Sequence, residues 1–308
     1  MIRKLLLALS RNLKLRDLLR RLPGTRAVVR RFVAGETWDE AQPQVKALVE
    51  RGLKVTVDLL GEDTTDADQA EQVVADYLEL LNSLEREGLA AAVEVSLKPT
   101  AIGLGLPEGV ALALGHATTI AQRAAAIGSA VTIDMEGHTT TEATVRLVEA
   151  LRQVVPGVGC ALQANLKRTE FDCARLDGPQ SRTRLCKGAY NAPAEVAYTD
   201  RHDVNLSYVR CLKVLMRGEG LPLIATHNPS LIEIAQEVAS RTGRGLKDLE
   251  FQMLYGVRAL EQERLSNLGY TVRVYVPFGV DWYGYLVRRL AERPANLSFF
   301  LRSLVGHK

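Results

Sequence analysis

Eight short β-rich runs recur along the chain at a near-constant interval, and this limits its fold more than any other feature. They are KVTVDLL from Lys54, AAVEVSLK from Ala91, AVTIDM from Ala130 and GCALQAN from Gly159. TRLCKGAY from Thr183, LPLIATHN from Leu221, LEFQMLYG from Leu249 and TVRVYVPFG from Thr271 follow. Their starts run from 54 to 271, seven intervals averaging 31 residues. Several read as near-continuous apolar stretches, as expected of parallel strands covered on both faces. Helical patterns fill most of the gaps. DADQAEQVVADYLELLNSLEREG spaces apolar residues by three and four and stops at Gly88. LPEGVALALGHATTIAQRAAAIG has Pro107 near its start and stops at Gly128. TTEATVRLVEALRQVVPG opens on Thr140 or Thr141 as N-cap and stops by Pro156. NPSLIEIAQEVASRTG follows the sixth run directly. The stretch from Lys167 to Gln180 is the least periodic and reads as loop with a short helix.

Eight βα units of this size make an α/β chain with a (β/α)8 TIM-like barrel. The expected division is a basic N-terminal helical arm at 1–40 and a catalytic barrel at 41–308. A doubly wound open sheet is the competing architecture, but its first βα turn would carry a Gly-rich phosphate loop. GLGLPEG, from Gly103 to Gly109, lacks that spacing, and no P-loop pattern is present.

The composition, 47% hydrophobic and 24% charged, is that of an ordinary globular protein. No apolar run reaches the ~18 residues that span a bilayer, and LLLAL at Leu5 to Leu9 is too short. The expectation is a cytoplasmic protein. Cys160, Cys173, Cys186 and Cys211 show no C-x-x-C spacing and read as small core residues. Charge is unevenly placed. Residues 1–31 hold ten Lys/Arg and one acid, Asp17, whereas the rest holds 29 basic and 35 acidic residues. The arm is either a capping helix with a solvated basic face or a peripheral contact with the inner face of a membrane. The acidic remainder argues against nucleic acid as a partner.

In such barrels chemistry gathers at the C-terminal ends of the strands. The second run ends at Lys98, the third at Asp134 and the fourth at Gln163. The fifth ends with Lys187, Gly188 and Tyr190, the sixth with Thr226, His227 and Asn228. Leu254 and Tyr255 end the seventh, Tyr275 lies on the eighth, and Tyr285, Arg288 and Arg289 follow in the last helix. Each residue alone has a plain structural role: Asp134 as a helix cap, His227 as a satisfied histidine, Lys98 reaching for solvent, Tyr285 in the core. Their concentration at one face points to a site. Lys98, Arg184, Lys187, Arg288 and Arg289 outnumber Asp134 and Glu292, so the face is expected to be cationic and to take anions. The helix opening at HNPS offers an N-terminus for phosphate, and Gly188 allows close approach of a ligand. The five histidines show no paired spacing for a metal, and G-x-S-x-G is absent.

Taken together, RLCKGAY, ATHN, FQMLYG and RVYVPFG…WYGYLVRRLAERPAN resemble the signature segments of the proline dehydrogenase family. SLKPTAIGL, TIDMEGHTTTE and LQANLKRTEFD match its earlier segments, so the resemblance runs from about Arg31 to Leu301. It implies a distorted (β/α)8 barrel holding FAD, which oxidises L-proline to Δ1-pyrroline-5-carboxylate by hydride transfer to flavin N5 and passes electrons to a membrane quinone. It implies that Lys98, Arg288 and Arg289 hold the substrate carboxylate. Tyr275 and Tyr285 would close over the ring, with Leu254 beside it. Arg184 would lie near flavin N5, and Asp134, Met135 and Gln163 would line the flavin ring. Lys187, Gly188, Ala189, Tyr190, Thr226, His227 and Asn228 would contact the cofactor, with Glu292 at the same mouth. Asp134 and Arg184 are the expected catalytic pair. Some relatives carry an aromatic residue where Asn191 stands here. The form resembled is single-function, so a separate pyrroline-5-carboxylate dehydrogenase would take the product.

Adjacent helical residues point about 100° apart, so Arg288 and Arg289 can grip one carboxylate only from two sides. Tyr285 neighbours both, and Glu292, one turn beyond Arg288, is placed to orient it. The alternatives are a hydroxyproline dehydrogenase, disfavoured by the size of Tyr275, and a Schiff-base aldolase using Lys98 or Lys187 as nucleophile.

Overall fold

The computed structural model describes residues 29–292, the last three by backbone alone. Most of the expected arm, residues 1–28, therefore lies outside the described residues. Helix α1 (Trp38–Glu50) leads into β1 (Lys54–Leu59), α2 (Ala67–Arg86) and β2 (Val93–Leu97). After a short 3-10 turn at Pro99–Ile102 come α3 (Gly109–Ala126), β3 (Val131–Ile133), α4 (Thr141–Arg152) and β4 (Gly159–Gln163). Then follow α5 (Thr169–Arg175), β5 (Arg182–Cys186), α6 (Arg201–Arg217), β6 (Leu221–Ala225) and α7 (Pro229–Arg241). The last elements are β7 (Glu250–Leu254), α8 (Ala259–Asn267), β8 (Thr271–Phe278) and α9 (Trp282–Glu292). The strands form a closed barrel in sequence order, all neighbours parallel, sealed by β8 pairing with β1 from Lys54↔Arg273 to Leu59↔Phe278. The eight runs and the barrel read from the sequence are all present.

Local chemistry sets the helix boundaries. Thr37, Asp66, Asp200 and Asn228 accept hydrogen bonds from the first-turn amides of α1, α2, α6 and α7. Helix α4 departs from expectation. Thr140 precedes it but has helical dihedrals, and its hydroxyl donates to Gly137 O instead of capping. Among the described residues no helix is long and apolar enough to cross a membrane.

Two apolar bodies hold these elements. The larger packs the helices against the outside of the barrel, with Val55, Val57, Ile133, Ile224 and Phe251 on the strands and Tyr77, Leu81 and Tyr208 on the helices. The smaller lies at the mouth, where Trp282, Tyr283, Tyr285, Leu286 and Val287 of α9 pack on Phe32, Val33 and Leu60. Tyr275 joins this second body from within β8.

The barrel interior is polar, which corrects the reading of the strands as near-continuous apolar runs. Apolar residues face the helices and every second residue faces inward: Thr56, Glu94, Ser96, Thr132, Arg182, Arg184, Glu250, Gln252 and Arg273. Glu94 is their centre. It accepts from Thr56 Oγ1 at 2.7 Å and pairs with Arg182 at 2.5 Å, Arg184 at 3.3 Å and Arg273 at 3.7 Å. Burial raises its pKa, but the three guanidiniums outweigh burial and hold the carboxyl far below the usual range. Arg273 is also bidentate to Glu250, at 2.6 and 3.1 Å.

A second buried carboxylate, Glu136, holds the turn after β2. It accepts from Thr100 N at 2.9 Å and from Thr100 Oγ1 at 2.7 Å. Burial pushes its pKa up to about 7, against the Thr100 bonds and the Lys98 charge, from an ordinary 4.5.

Removing one member of a buried charge network leaves its partners uncompensated, so Glu94→Ala is expected to lower unfolding free energy by about 3–5 kcal/mol. Urea unfolding checks this, and a loss near zero would contradict the central role of Glu94. Glu136 gives a pH effect of opposite sign to a salt-bridged acid. Between about pH 4.5 and 7 the folded chain keeps a proton that the unfolded chain releases. Stability from this group therefore falls as pH rises through that window, by about 3 kcal/mol in all. Glu136→Gln is expected to lack this component when the two proteins are compared by urea unfolding at several pH values across the window.

Candidate active site

The mouth of the barrel is built on the strand ends. Lys98, one residue past β2 and 6% exposed, donates to Asp58 Oδ1 of β1 at 2.5 Å. Burial alone would lower the Lys98 pKa, but Asp58, Asp134 and Glu62 raise it above the usual range, so the ammonium stays charged. The other oxygen of Asp58 is buried with no hydrogen-bond partner.

Arg184 of β5 is the hub that joins the interior to the mouth. Its Nε donates to Gln252 Oε1 at 2.7 Å, Nη1 to Asp134 Oδ1 at 2.7 Å and to Ser96 Oγ at 3.1 Å, and Nη2 to Glu94 at 3.3 Å. Asp134 also accepts from Ser96 Oγ and, through Oδ2, from the Tyr275 hydroxyl, both at 2.7 Å. The Arg184 guanidinium lies 5.2 Å from the centre of the Tyr275 ring. The expected catalytic pair, Asp134 and Arg184, is thus in direct contact. Burial pushes the Tyr275 phenol well up, and the charges of Asp134 and Asp58 add to this, so it stays protonated and donates.

Helix α9 brings the last components across the mouth. Arg288 is bidentate to Glu62, Nη1 to Oε1 at 2.7 Å and Nη2 to Oε2 at 3.4 Å. Glu62 lies in the loop after β1, and its Oε2 also accepts from Tyr190 of the loop after β5, at 3.0 Å. Burial raises the Glu62 pKa, but Arg288 outweighs it and leaves the carboxyl below the ordinary value. Arg288 sits 5.3 Å from the Tyr190 ring and Arg289 sits 5.1 Å from the Tyr285 ring. The two arginines therefore face different aromatic partners, as their helical angle requires. Glu292 ends the helix, and its side chain lies outside the described residues.

The remaining expected residues ring the same mouth. Met135 and Gln163 are buried, and Gln163 Nε2 donates to Glu136 O at 2.8 Å. Lys187, Gly188 and Ala189 are half-buried in the loop after β5, and Leu254 is half-buried at the end of β7. His227 Nε2 accepts from the Leu254 amide at 2.9 Å, which ties the loop after β6 to β7. Thr226 Oγ1 accepts from Asn228 N, and Asn228 caps α7. Tyr255 turns outward to Gln44 and does not join the others. Gly188 has φ +106°, and a Cβ there would lie 1.9 Å from Asn165 Oδ1. Asn165 Oδ1 is buried with no hydrogen-bond partner. A buried acceptor left unmet beside a bare backbone, with Gln163 two residues before it and Lys187 O accepting from Asn165 N at 2.9 Å, suits a large polar cofactor.

Four carboxylates of the mouth were not among the expected residues: Asp58, Glu62, Glu136 and, deeper, Glu94. They correct the expectation of a cationic face in part, because three of its five expected cations already meet an acid: Lys98 with Asp58, Arg288 with Glu62, and Arg184 with Asp134 and Glu94. The signal for two of them was present in sequence. Asp58 and Glu94 occupy the inward phase of the alternating strands KVTVDL and VEVSL. Glu62 has no such signal, because it lies in the irregular stretch GEDTTD.

Comparison with known proteins bears directly on this site. A sequence model of the family described as proline dehydrogenase matches residues 41–302. Proline dehydrogenase 1 of Bacillus subtilis is 36% identical over 305 residues, covering 99% of each chain. Proline dehydrogenase of Deinococcus radiodurans is 36% identical over 281 residues, covering 89% of each. Among solved structures, proline utilization A from Bdellovibrio bacteriovorus, inactivated by N-propargylglycine, superposes with a TM-score of 0.82 at 25% identity. That match covers 92% of this chain and 34% of the other, so the chain spans about a third of that protein. With the barrel, the ordered motifs and these matches in agreement, the chain belongs to the proline dehydrogenase family.

Proposed function

We propose that this protein is an FAD-dependent proline dehydrogenase that oxidises L-proline to Δ1-pyrroline-5-carboxylate, the first step of proline catabolism. One observation carries the reading. Arg288 grips a carboxylate with both Nη atoms, and Lys98 lies within electrostatic reach of that same Glu62 carboxylate. The mouth is therefore preorganised around the geometry that a free carboxylate ligand needs. Arg289, stacked on Tyr285, offers a further cation from the same helix.

The residues fit FAD in the manner of the family. Gln163 and Arg184 would meet the flavin ring, and the Lys187–Tyr190 and Thr226–Asn228 segments the remainder. When bound, FAD would supply the two-electron oxidising chemistry, as the hydride acceptor for proline C5, with a membrane quinone as the final electron acceptor. The chain does the positioning. Lys98, Arg288 and Arg289 fix the substrate carboxylate and with it the ring. Their charge disfavours the ammonium form of the ring nitrogen, so that its lone pair is available. Asp134 accepts from Tyr275, Ser96 and Arg184 and so orients the phenol and the guanidinium together. Tyr275 and Tyr285 exclude water above the ring. The basic arm at 1–31 would meet the membrane surface, and a separate pyrroline-5-carboxylate dehydrogenase would take the product.

Anaerobic addition of L-proline to the purified protein is expected to bleach a visible flavin band, with no bleaching by D-proline. A protein that stays colourless after FAD is added contradicts the reading. Removing one of the guanidiniums that meets the substrate carboxylate costs a charge-assisted bond, so Arg289→Ala is expected to raise KM for L-proline by about tenfold or more. Steady-state kinetics with an artificial dye acceptor measures this, and an unchanged KM would remove Arg289 from the clamp.

A further inference from the structure

Glu62 is the partner of Arg288, yet it sits in an irregular loop with little of its own to hold it. The loop leaves β1 at Leu60, whose amide donates to Phe278 O at 2.8 Å, and ends where Asp66 caps α2. Between those anchors Asp63 adopts φ +59°, a left-handed conformation that costs energy for any residue with a Cβ. Such a conformation persists only where the surroundings over-determine it. Here three hydrogen bonds to this segment come from one residue, Thr100. Its Oγ1 accepts from Asp63 N at 3.0 Å. Its carbonyl accepts from Thr64 N at 3.2 Å and from Thr64 Oγ1 at 2.9 Å. Thr100 is itself fixed by the two oxygens of Glu136, which take its amide and its hydroxyl proton. Thr100 and Glu136 are 7% and 4% exposed, and the hydroxyl proton of Thr100 goes to Glu136, so its lone pair is presented to Asp63.

The bonds therefore run without a break from the end of β3 to the last helix. Glu136 orients Thr100, Thr100 sets the loop at Asp63 and Thr64, the loop places Glu62, and Glu62 holds Arg288. We propose that Glu136 and Thr100 are positioning residues for the substrate-carboxylate clamp, acting on Arg288 through Glu62 without touching the substrate. The inference rests on the reading of the mouth as a proline site. It assigns the Thr100 hydroxyl a role in affinity for the carboxylate end of the substrate, separate from the redox chemistry.

The test is steady-state kinetics with L-proline and a dye acceptor on wild type, Thr100→Val, Thr100→Ser, Glu136→Gln, Glu62→Ala and the double variant Glu62→Ala/Thr100→Val. Thr100→Val keeps the shape and deletes the two hydrogen bonds of the hydroxyl, the one it accepts from Asp63 N and the one it donates to Glu136, so KM is expected to rise about fivefold with kcat within about twofold. Glu136→Gln is expected to do the same, and Thr100→Ser, which keeps the hydroxyl, to restore wild-type KM. In the Glu62→Ala background, Thr100→Val is expected to add nothing, because the route to Arg288 is already cut. Competitive inhibition by cyclopentanecarboxylate, which has the carboxylate and lacks the amine, should weaken in step with KM.

An unchanged KM in Thr100→Val overturns the proposal, as does a Thr100→Val effect that is additive with Glu62→Ala. A fall in kcat alone would place Thr100 in the chemistry and also overturn it. If Thr100→Val does not fold, Glu136→Gln and its double variant with Glu62→Ala decide by the same criteria. A wild-type protein that does not oxidise L-proline overturns this inference together with the proposed function. Activity in wild type with no KM change in the variants overturns this inference alone.

Discussion

The structure depends on how three guanidiniums share the inside of a narrow barrel. TIM barrels are commonly filled by branched aliphatic side chains, and water cannot screen charges placed there. Glu94 resolves the problem by meeting Arg182, Arg184 and Arg273 at once, with Glu250 taking the other side of Arg273. A buried pair gains little over well-packed apolar residues, but it is unforgiving of a missing member and fixes direction. Direction is what the site uses. Arg184 is held from below by Glu94 and at its side by Gln252, so its remaining Nη1 meets Asp134 at the level where Tyr275 arrives.

The mouth follows the same rule in a wetter setting. Three of its cations carry an acid: Asp58 for Lys98, Glu62 for Arg288, Asp134 for Arg184. Without a ligand, these pairs keep the cations in place and avoid leaving bare charge in a partly buried cleft. With a carboxylate ligand, the same guanidinium must serve two acids, and the binding free energy is the difference between two similar sets of bonds. Such a mouth favours selectivity for the shape and charge of its ligand over very tight binding. Stacking of Arg288 on Tyr190 and Arg289 on Tyr285 limits the side-chain freedom lost when a ligand arrives.

The barrel was legible in the sequence because strand spacing, helix periodicity and turn residues all pointed the same way. The gathering of Lys98, Asp134, Arg184, Tyr275 and Arg288 was legible too: Lys98 and Asp134 sit just beyond strand ends and Arg288 on the closing helix, while Arg184 and Tyr275, inside β5 and β8, lie in segments that resemble the family's. Two things were not. The runs look apolar because half of their positions are, and this hid the inward phase that carries Thr56, Asp58, Glu94 and Ser96. Glu62 and Thr100 lie in loops, whose geometry no periodicity encodes: a left-handed aspartate amide and a threonine hydroxyl meet only once β1 and β2 have paired. The pairing of Arg288 fell in the same class. Its helical neighbour Glu292 is one turn away in sequence, whereas its observed partner Glu62 lies 226 residues earlier.

That separation has a consequence for how the protein comes into being. The first βα unit supplies Glu62 and the helix after the last strand supplies Arg288, while β1 closes the barrel only against β8. Contacts of this range form after the chain between them has collapsed, since their loop-closure entropy must first be offset by nearer pairings. A chain still being synthesised lacks the second half of the clamp and has an open sheet edge. The Glu62–Arg288 pair therefore arises together with barrel closure, and no shorter chain on the ribosome carries a complete mouth.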